Sequence, residues 1–155
     1  MTSRLLTPTL LALALLTACG GKNSADEATL KEAGEIHLQA SEIQEALEPQ
    51  VDSLAALKTK LAALKTSAAT QAVADIDSVV SRFEAWESNV VEVPGMEHKH
   101  EHAEGDSGHH HHHDHKPAPQ VTASEMLDIQ KEMKSELEKI STDAKTVLES
   151  GRKAL

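Results

Sequence analysis

The chain reads as all-α: an antiparallel, coiled-coil-like three-helix bundle with a disordered, histidine-rich loop between its second and third helices. Three observations predict this. Apolar residues recur in alternating three- and four-residue steps over three separate stretches, the period of a helix that buries one stripe. Two of those stretches open on a capping box, Ser24 with Glu27 and Thr122 with Glu125, where hydroxyl and carboxylate each take a free N–H of the first turn. No stretch alternates apolar and polar residues as a strand would.

The first helix carries the longest stripe: Ala33, Ile36, Ala40, Ile43, Leu47, Leu54, Leu57, Leu61, Leu64 and Ala68, interrupted only at Gln50. At 1.5 Å per residue it would run about 60 Å. Glu27 and Lys31 form an i,i+4 pair on its flank. Pro49 removes one backbone donor and crowds the preceding turn. Either the helix kinks there or a second helix starts with Pro49 in its first turn; a kink is favoured, because the heptad phase survives across it.

The run from Lys65 to Thr70 is the expected turn. A second stripe follows at Val73, Ile76, Val80, Phe83 and Val90, with Trp86 beside it. The third comprises Met126, Ile129, Met133, Leu137, Ile140, Ala144 and Val147, and Ser150-Gly151 is a plausible stop. Glu125, Asp128 and Lys145 sit where the helix dipole favours them. The second and third helices are shorter than the first, so part of the first is expected to lack a partner within the monomer. That part is either frayed or an oligomer surface.

Between the last two helices lies a stretch rich in His, Glu, Asp, Gly and Pro that holds nine of the ten histidines. Loops this long are usually functional or disordered, and this one is too polar to offset its chain entropy by burial. His98, His100 and His102 alternate with Lys99 and Glu101, so in an extended chain the three imidazoles share a face. His109, His110, His111, His112, His113 and His115 form a second block. Glu97, Glu101, Glu104, Asp106 and Asp114 add oxygen ligands. Neutral imidazole suits Zn, Ni and Cu. Zn(II) is the first expectation, with Ni(II) or Cu(II) next, held in a labile, pH-dependent site without a rigid outer shell. Two other readings stand beside it: a solvated linker whose metal affinity is incidental, and a proton-responsive segment, since histidine titrates near pH 6.5.

At the other end of the chain, Arg4 precedes the apolar run Leu10–Leu16, which leads into Leu16-Thr17-Ala18-Cys19. A basic start, a short apolar segment and small residues before a cut site make an export signal; the run is too short to span a bilayer. The last four residues resemble the lipobox of bacterial lipoproteins. That resemblance implies cleavage before Cys19 and acylation of its sulfur and amine. Two or three chains anchor durably where one does not. Gly20 stands where Asp would signal inner-membrane retention in enteric lipoproteins, which leans toward the outer membrane. The chain then divides into a signal peptide (1–18), a lipidated cysteine and tether (19–23), two helices (24–93), the loop (94–121) and the third helix (122–150).

Composition narrows the function. The formal charge is −10. Removing residues 1–18 takes away Arg4 and no acid, leaving 14 basic against 25 acidic residues, or −11. Such a surface repels nucleic acid and attracts cations. Phe83 and Trp86 are the only aromatics, too few for a stacking surface. Cys19 is the only cysteine, so no intramolecular disulfide or thiolate metal cluster forms. No nucleophile elbow, HExxH or phosphate-cradling glycine loop is present, so no enzyme is expected. His37, beside the first stripe, reads as a boundary or surface residue rather than a ligand. Phe83 and Trp86 read as a cap on the core near the loop's entry, or, for Trp86, as a partner-docking patch. Met126 and Met133 read as core.

The loop is similar to the histidine-rich loops of zinc-uptake binding proteins and cation-diffusion transporters, although the α/β lobes of the former and the membrane helices of the latter have no counterpart here. The whole resembles small helical envelope lipoproteins with a His-rich loop. The expected function is a membrane-anchored lipoprotein that buffers or transfers divalent metal, beside a metal transporter or efflux component. The alternative is a structural or interaction lipoprotein, able to form homo-oligomers through its helix faces, whose loop only solvates or responds to pH.

Overall fold

The computed structural model describes residues 24–96 and 119–155. Cys19, the signal segment, the nine clustered histidines and their acidic companions lie outside the described residues. Three helices pack against one another: α1 (Ser24–Ala62), α2 (Ser67–Glu87) and α3 (Ala123–Lys153). No strand element occurs among the described residues, and the all-α three-helix bundle is the architecture.

The first helix runs without a break through Pro49, so a second helix starting there is excluded. Leu47 and Leu54, on either side, are completely buried. Pro49 itself is exposed. The bond it removes is the one to the carbonyl of Glu45, a residue that is exposed too. The core of the stripe is Ala33, Ala40, Leu47, Leu54, Leu57 and Leu61. Ile36 and Ile43 lie at its margin, and Leu64 and Ala68, beyond the helix end, are exposed. Lys31 pairs with Glu35 at 3.8 Å.

The turn is shorter than expected. Thr66 caps α2, its hydroxyl accepting the Ala69 N–H at 3.1 Å. Lys65, at φ 50°, takes the left-handed conformation that reverses the chain. Small residues at 67–70 look like loop but belong to the helix, because Ala69 is needed in the core. The buried line of α2 is Ala69, Ala72, Ile76, Val79, Phe83 and Trp86, continued by Val90. Trp86 is therefore on the stripe, and Val73 and Val80 pack at its edge.

On α3 the buried line is Met126, Gln130, Leu137, Ile140, Ala144, Leu148 and Gly151. Ile129, Met133 and Val147 are half-buried. Thr122 caps the helix with both halves of the capping box. The Thr122 N–H and hydroxyl hydrogen-bond the Glu125 carboxylate at 2.8 Å, holding that carboxyl below its usual range. The cap is thus intact above the ordinary carboxylate pKa and is lost as pH falls through the lowered one. Gly151 is no stop: the helix continues to Lys153. A Cβ there would sit 2.8 Å from Leu57 Cδ2, so the glycine lets α1 and α3 approach.

These contacts set the register. Gly151 faces Leu57 and Leu61, and Gln130 faces His37, so α1 and α3 run parallel with α2 antiparallel to both. Where α2 ends, residues 88–96 carry its layer onward. Val93 joins Ala33 and Met126 in a second core cluster, with Leu30, Val91, Met96 and Leu127 around it. This segment and α3 cover α1 from Leu30 onward, while residues 24–28 of the helix remain exposed. No helix among the described residues is long and apolar enough to cross a membrane.

Leu137, with no exposed surface, sits at the centre of the main cluster. Leu137→Ala is expected to cost roughly 2–5 kcal/mol, read from urea unfolding followed by circular dichroism. Pro49→Ala restores a helix donor at an exposed position and is expected to raise stability by about 1–3 kcal/mol in the same assay.

Candidate functional site

Residues 90–96 lead from the bundle into the histidine-rich stretch, and three devices hold them. Val93 is buried in the second core cluster. Met96 lies over Gly34, where any Cβ would collide with its Sδ; the bare helix backbone is what admits the thioether. The third device is polar and completely internal.

His37 is 4% exposed and Gln130 0%. The expectation of a boundary or surface histidine is corrected: His37 is core. Its Nδ1 lies 3.0 Å from Gln130 Oε1. The Gln130 amide nitrogen donates to the Val91 carbonyl at 2.7 Å and approaches Met126 Sδ at 3.6 Å. A buried amide stays buried only if its donors and acceptor are met, and here each has a partner. On the other side of the ring, His37 Nε2 faces Glu92 Oε2 at 3.6 Å. A cavity of about 20 Å³ borders both side chains, lined also by Ser41, Gln44, Trp86 and Met133. That is room for one water. Sequence reasoning missed this cluster. No local pattern signals it: polar residues follow Ile43, Ile76 and Ile140 just as His37 follows Ile36 and Gln130 follows Ile129.

Trp86 is 8% exposed, and its Nε1–H donates to the Met133 carbonyl at 2.9 Å. It joins α2 to α3 within the core. Nearby, Arg82 reaches Glu136 at 3.0 Å and Asp143 at 2.6 Å. The hydrogen bonds to Asp143 and then Glu136 raise its pKa further, so it is a fixed cation. These side chains are part-exposed and bind α2 to α3 modestly. An open groove of about 550 Å³ runs between the two helices there.

Cys19, His98, His100, His102, His109, His110, His111, His112, His113 and His115 lie outside the described residues, as do Glu97, Glu101, Glu104, Asp106 and Asp114. Among the described residues, no group of three or more His, Cys, Asp or Glu could hold a metal ion. The described ends of the stretch are placed. Met96 sits level with Gly34, about 15 Å along α1 from Ser24. Thr122 starts α3 one turn before Met126, which packs beside Ala33. Both described ends thus lie toward the Ser24 end of the bundle. No known family model, curated protein or solved structure significantly matches the chain.

Gln130→Ala leaves the Val91 carbonyl and His37 Nδ1 without their partner. The expected loss is about 1–3 kcal/mol, measured as a fall in the urea midpoint with the helical spectrum retained.

Proposed function

We propose that the chain is a lipid-anchored protein of the bacterial envelope that binds divalent transition metal, Zn first and Ni or Cu next, through residues 97–115, for buffering or transfer. The observation that carries this reading is the concentration of nine histidines and five carboxylates in one polar stretch, on a chain whose first residues resemble a lipoprotein signal. Imidazole and carboxylate together suit borderline divalent ions, and a net negative scaffold concentrates cations near them.

The bundle supports the reading by where it puts the ends of that stretch. An anchor on Cys19 would lie five residues before Ser24, at most roughly 17 Å of extended chain. The histidines would then work close to the bilayer, outer rather than inner by the residue after Cys19. There a transporter or efflux component would exchange ions with them. The role is carriage rather than catalysis, because a site without a rigid outer shell gives up its ion readily.

Equilibrium dialysis of residues 20–155 against micromolar zinc, nickel and copper tests this. More than one ion should bind per chain at pH 7.5, and affinity should fall steeply below pH 6 as protons take the imidazoles. Replacing residues 97–115 by a glycine-serine linker of equal length should abolish binding and leave the helical spectrum unchanged. Retention of none of the three metals by the unaltered chain would reduce the stretch to a solvated linker on an interaction scaffold.

A further inference from the structure

The charges of the chain are sorted along the bundle. Residues 58–70 and 149–155 hold five bases, Lys58, Lys60, Lys65, Arg152 and Lys153, and one acid, Glu149. That leaves 9 basic against 24 acidic residues in the remainder of residues 19–155. The fold brings the two segments to one end. Gly151 lies against Leu57 and Leu61, and Ala154 packs on the main core cluster. This end is the one farthest from Ser24, along a 39-residue helix about 58 Å long.

Lys58 is paired with Asp77. Lys60, Lys65, Arg152 and Lys153 are exposed, and none of the four pairs with a described carboxylate. The helix dipole accounts for part of this. Lys60 lies in the last turn of α1, and Arg152 and Lys153 in that of α3, where cations are favoured. It accounts neither for Lys65 nor for two leucines. Lys65 stands beyond the helix end at φ 50°, a conformation that glycine adopts without strain and lysine does not. Leu64 and Leu155 are 42% and 58% exposed, two of the four exposed large hydrophobics among the described residues.

We infer that this tip docks on anionic phospholipid headgroups, with Lys60, Lys65, Arg152 and Lys153 meeting the phosphates and Leu64 and Leu155 entering the interface between them. Bases beside exposed apolar side chains match the chemistry of such a surface. A folded partner fits less well. Each helix is about 10 Å across, so the end of three is small beside the roughly 800 Å² that each side of a stable protein interface buries. The acids elsewhere do not prevent docking, because at about 0.1 M salt charge is screened within roughly 10 Å. Asp52, the last acid of α1, precedes Ala62 by about 15 Å of helix. On α2 the first acids are Asp75, which accepts a hydrogen bond from Gln71, and the paired Asp77.

With an acyl anchor at Cys19, as proposed above, this second contact is intramolecular and gains from effective concentration. The bundle would then lie along the bilayer, held at both ends. A uniformly acidic rod would instead stand away from it.

Sedimentation of residues 20–155 with vesicles tests the tip without the anchor. EDTA removes metal bridges between imidazole and phosphate, and at pH 7.5 the histidines are largely uncharged. At low salt the chain should partition onto phosphatidylglycerol vesicles and stay free of phosphatidylcholine vesicles, and about 0.5 M salt should release it. Replacing Lys60, Lys65, Arg152 and Lys153 together by glutamine should lower the partition coefficient by roughly a hundredfold or more, each base near the surface contributing about fivefold. Lys65→Gly separates docking from folding. It relieves the backbone, so the urea midpoint should rise while the partition coefficient falls about fivefold. No binding to phosphatidylglycerol, equal binding to phosphatidylcholine, or an unchanged partition coefficient in the fourfold variant overturns the inference. Binding of poly-glutamate without vesicle binding assigns the tip to an acidic protein and overturns it too. The histidine-rich stretch is present in every sample and metal in none, so this inference and the proposed metal binding fail separately.

Discussion

The parallel seam between α1 and α3 is the constraint on which the rest of the molecule depends. Two parallel neighbours cannot be joined by a short turn. The chain must return along the bundle's length before α3 begins. At 1.5 Å per residue the 21 residues of α2 return only about 31 Å, less than the roughly 46 Å of the 31-residue α3. The remainder falls to residues 88–96, which close the last turn of α2 with backbone bonds up to Val90 and beyond it rely on side chains such as Val93 and Met96. The seam is close because small residues line it: Ala33, Ala40, Ala144 and Gly151 are all buried. Thus the requirement that α1 and α3 fit tightly in one direction generates the non-helical segment and the polar cluster that holds it.

Most of the helical scaffold was legible in the sequence, because a repeated apolar stripe has few alternatives to a buried helix face. The capping box at Thr122 was legible because it is local, depending on residues three apart. The errors have one physical origin: a stripe read from large apolar residues misses small ones. Ala69, Ala72 and Gly151 are core positions without bulk, so an apolar stripe starts α2 too late and Gly151 resembles a stop. The same bias put Val73 and Val80 on the stripe and Trp86 beside it. Polar core residues are harder still. His37 and Gln130 are acceptable inside only because they complete each other across 93 positions of chain, and nothing local announces such a pair. Of the candidate site, the composition of the histidine-rich stretch was legible, whereas its attachment to the bundle depended on long-range packing.

The interior therefore contains two kinds of cohesion. The main cluster, from Ala40 to Leu61 on α1 with its facing residues, is held by apolar burial, which tolerates small shifts. The second cluster, around Ala33, Val93 and Met126, is smaller and is braced by directional bonds at Gln130 and His37. Directional bonds specify one arrangement and tolerate little displacement. The division suits a part of the fold whose task is to fix where a non-helical segment leaves the bundle, rather than to contribute most of the stability.

Trp86 gives the molecule a single optical reporter. Tyrosine is absent from the chain and Phe83 is the only other aromatic, so near-ultraviolet absorption and emission come from one indole. Its N–H is bound to a backbone carbonyl of the neighbouring helix, and its ring borders the small cavity beside His37. The colour and brightness of that emission thus describe a single place: the junction of α2, α3 and the polar cluster. Events elsewhere in the bundle, including at its far tip, reach the fluorophore only by first disturbing that junction.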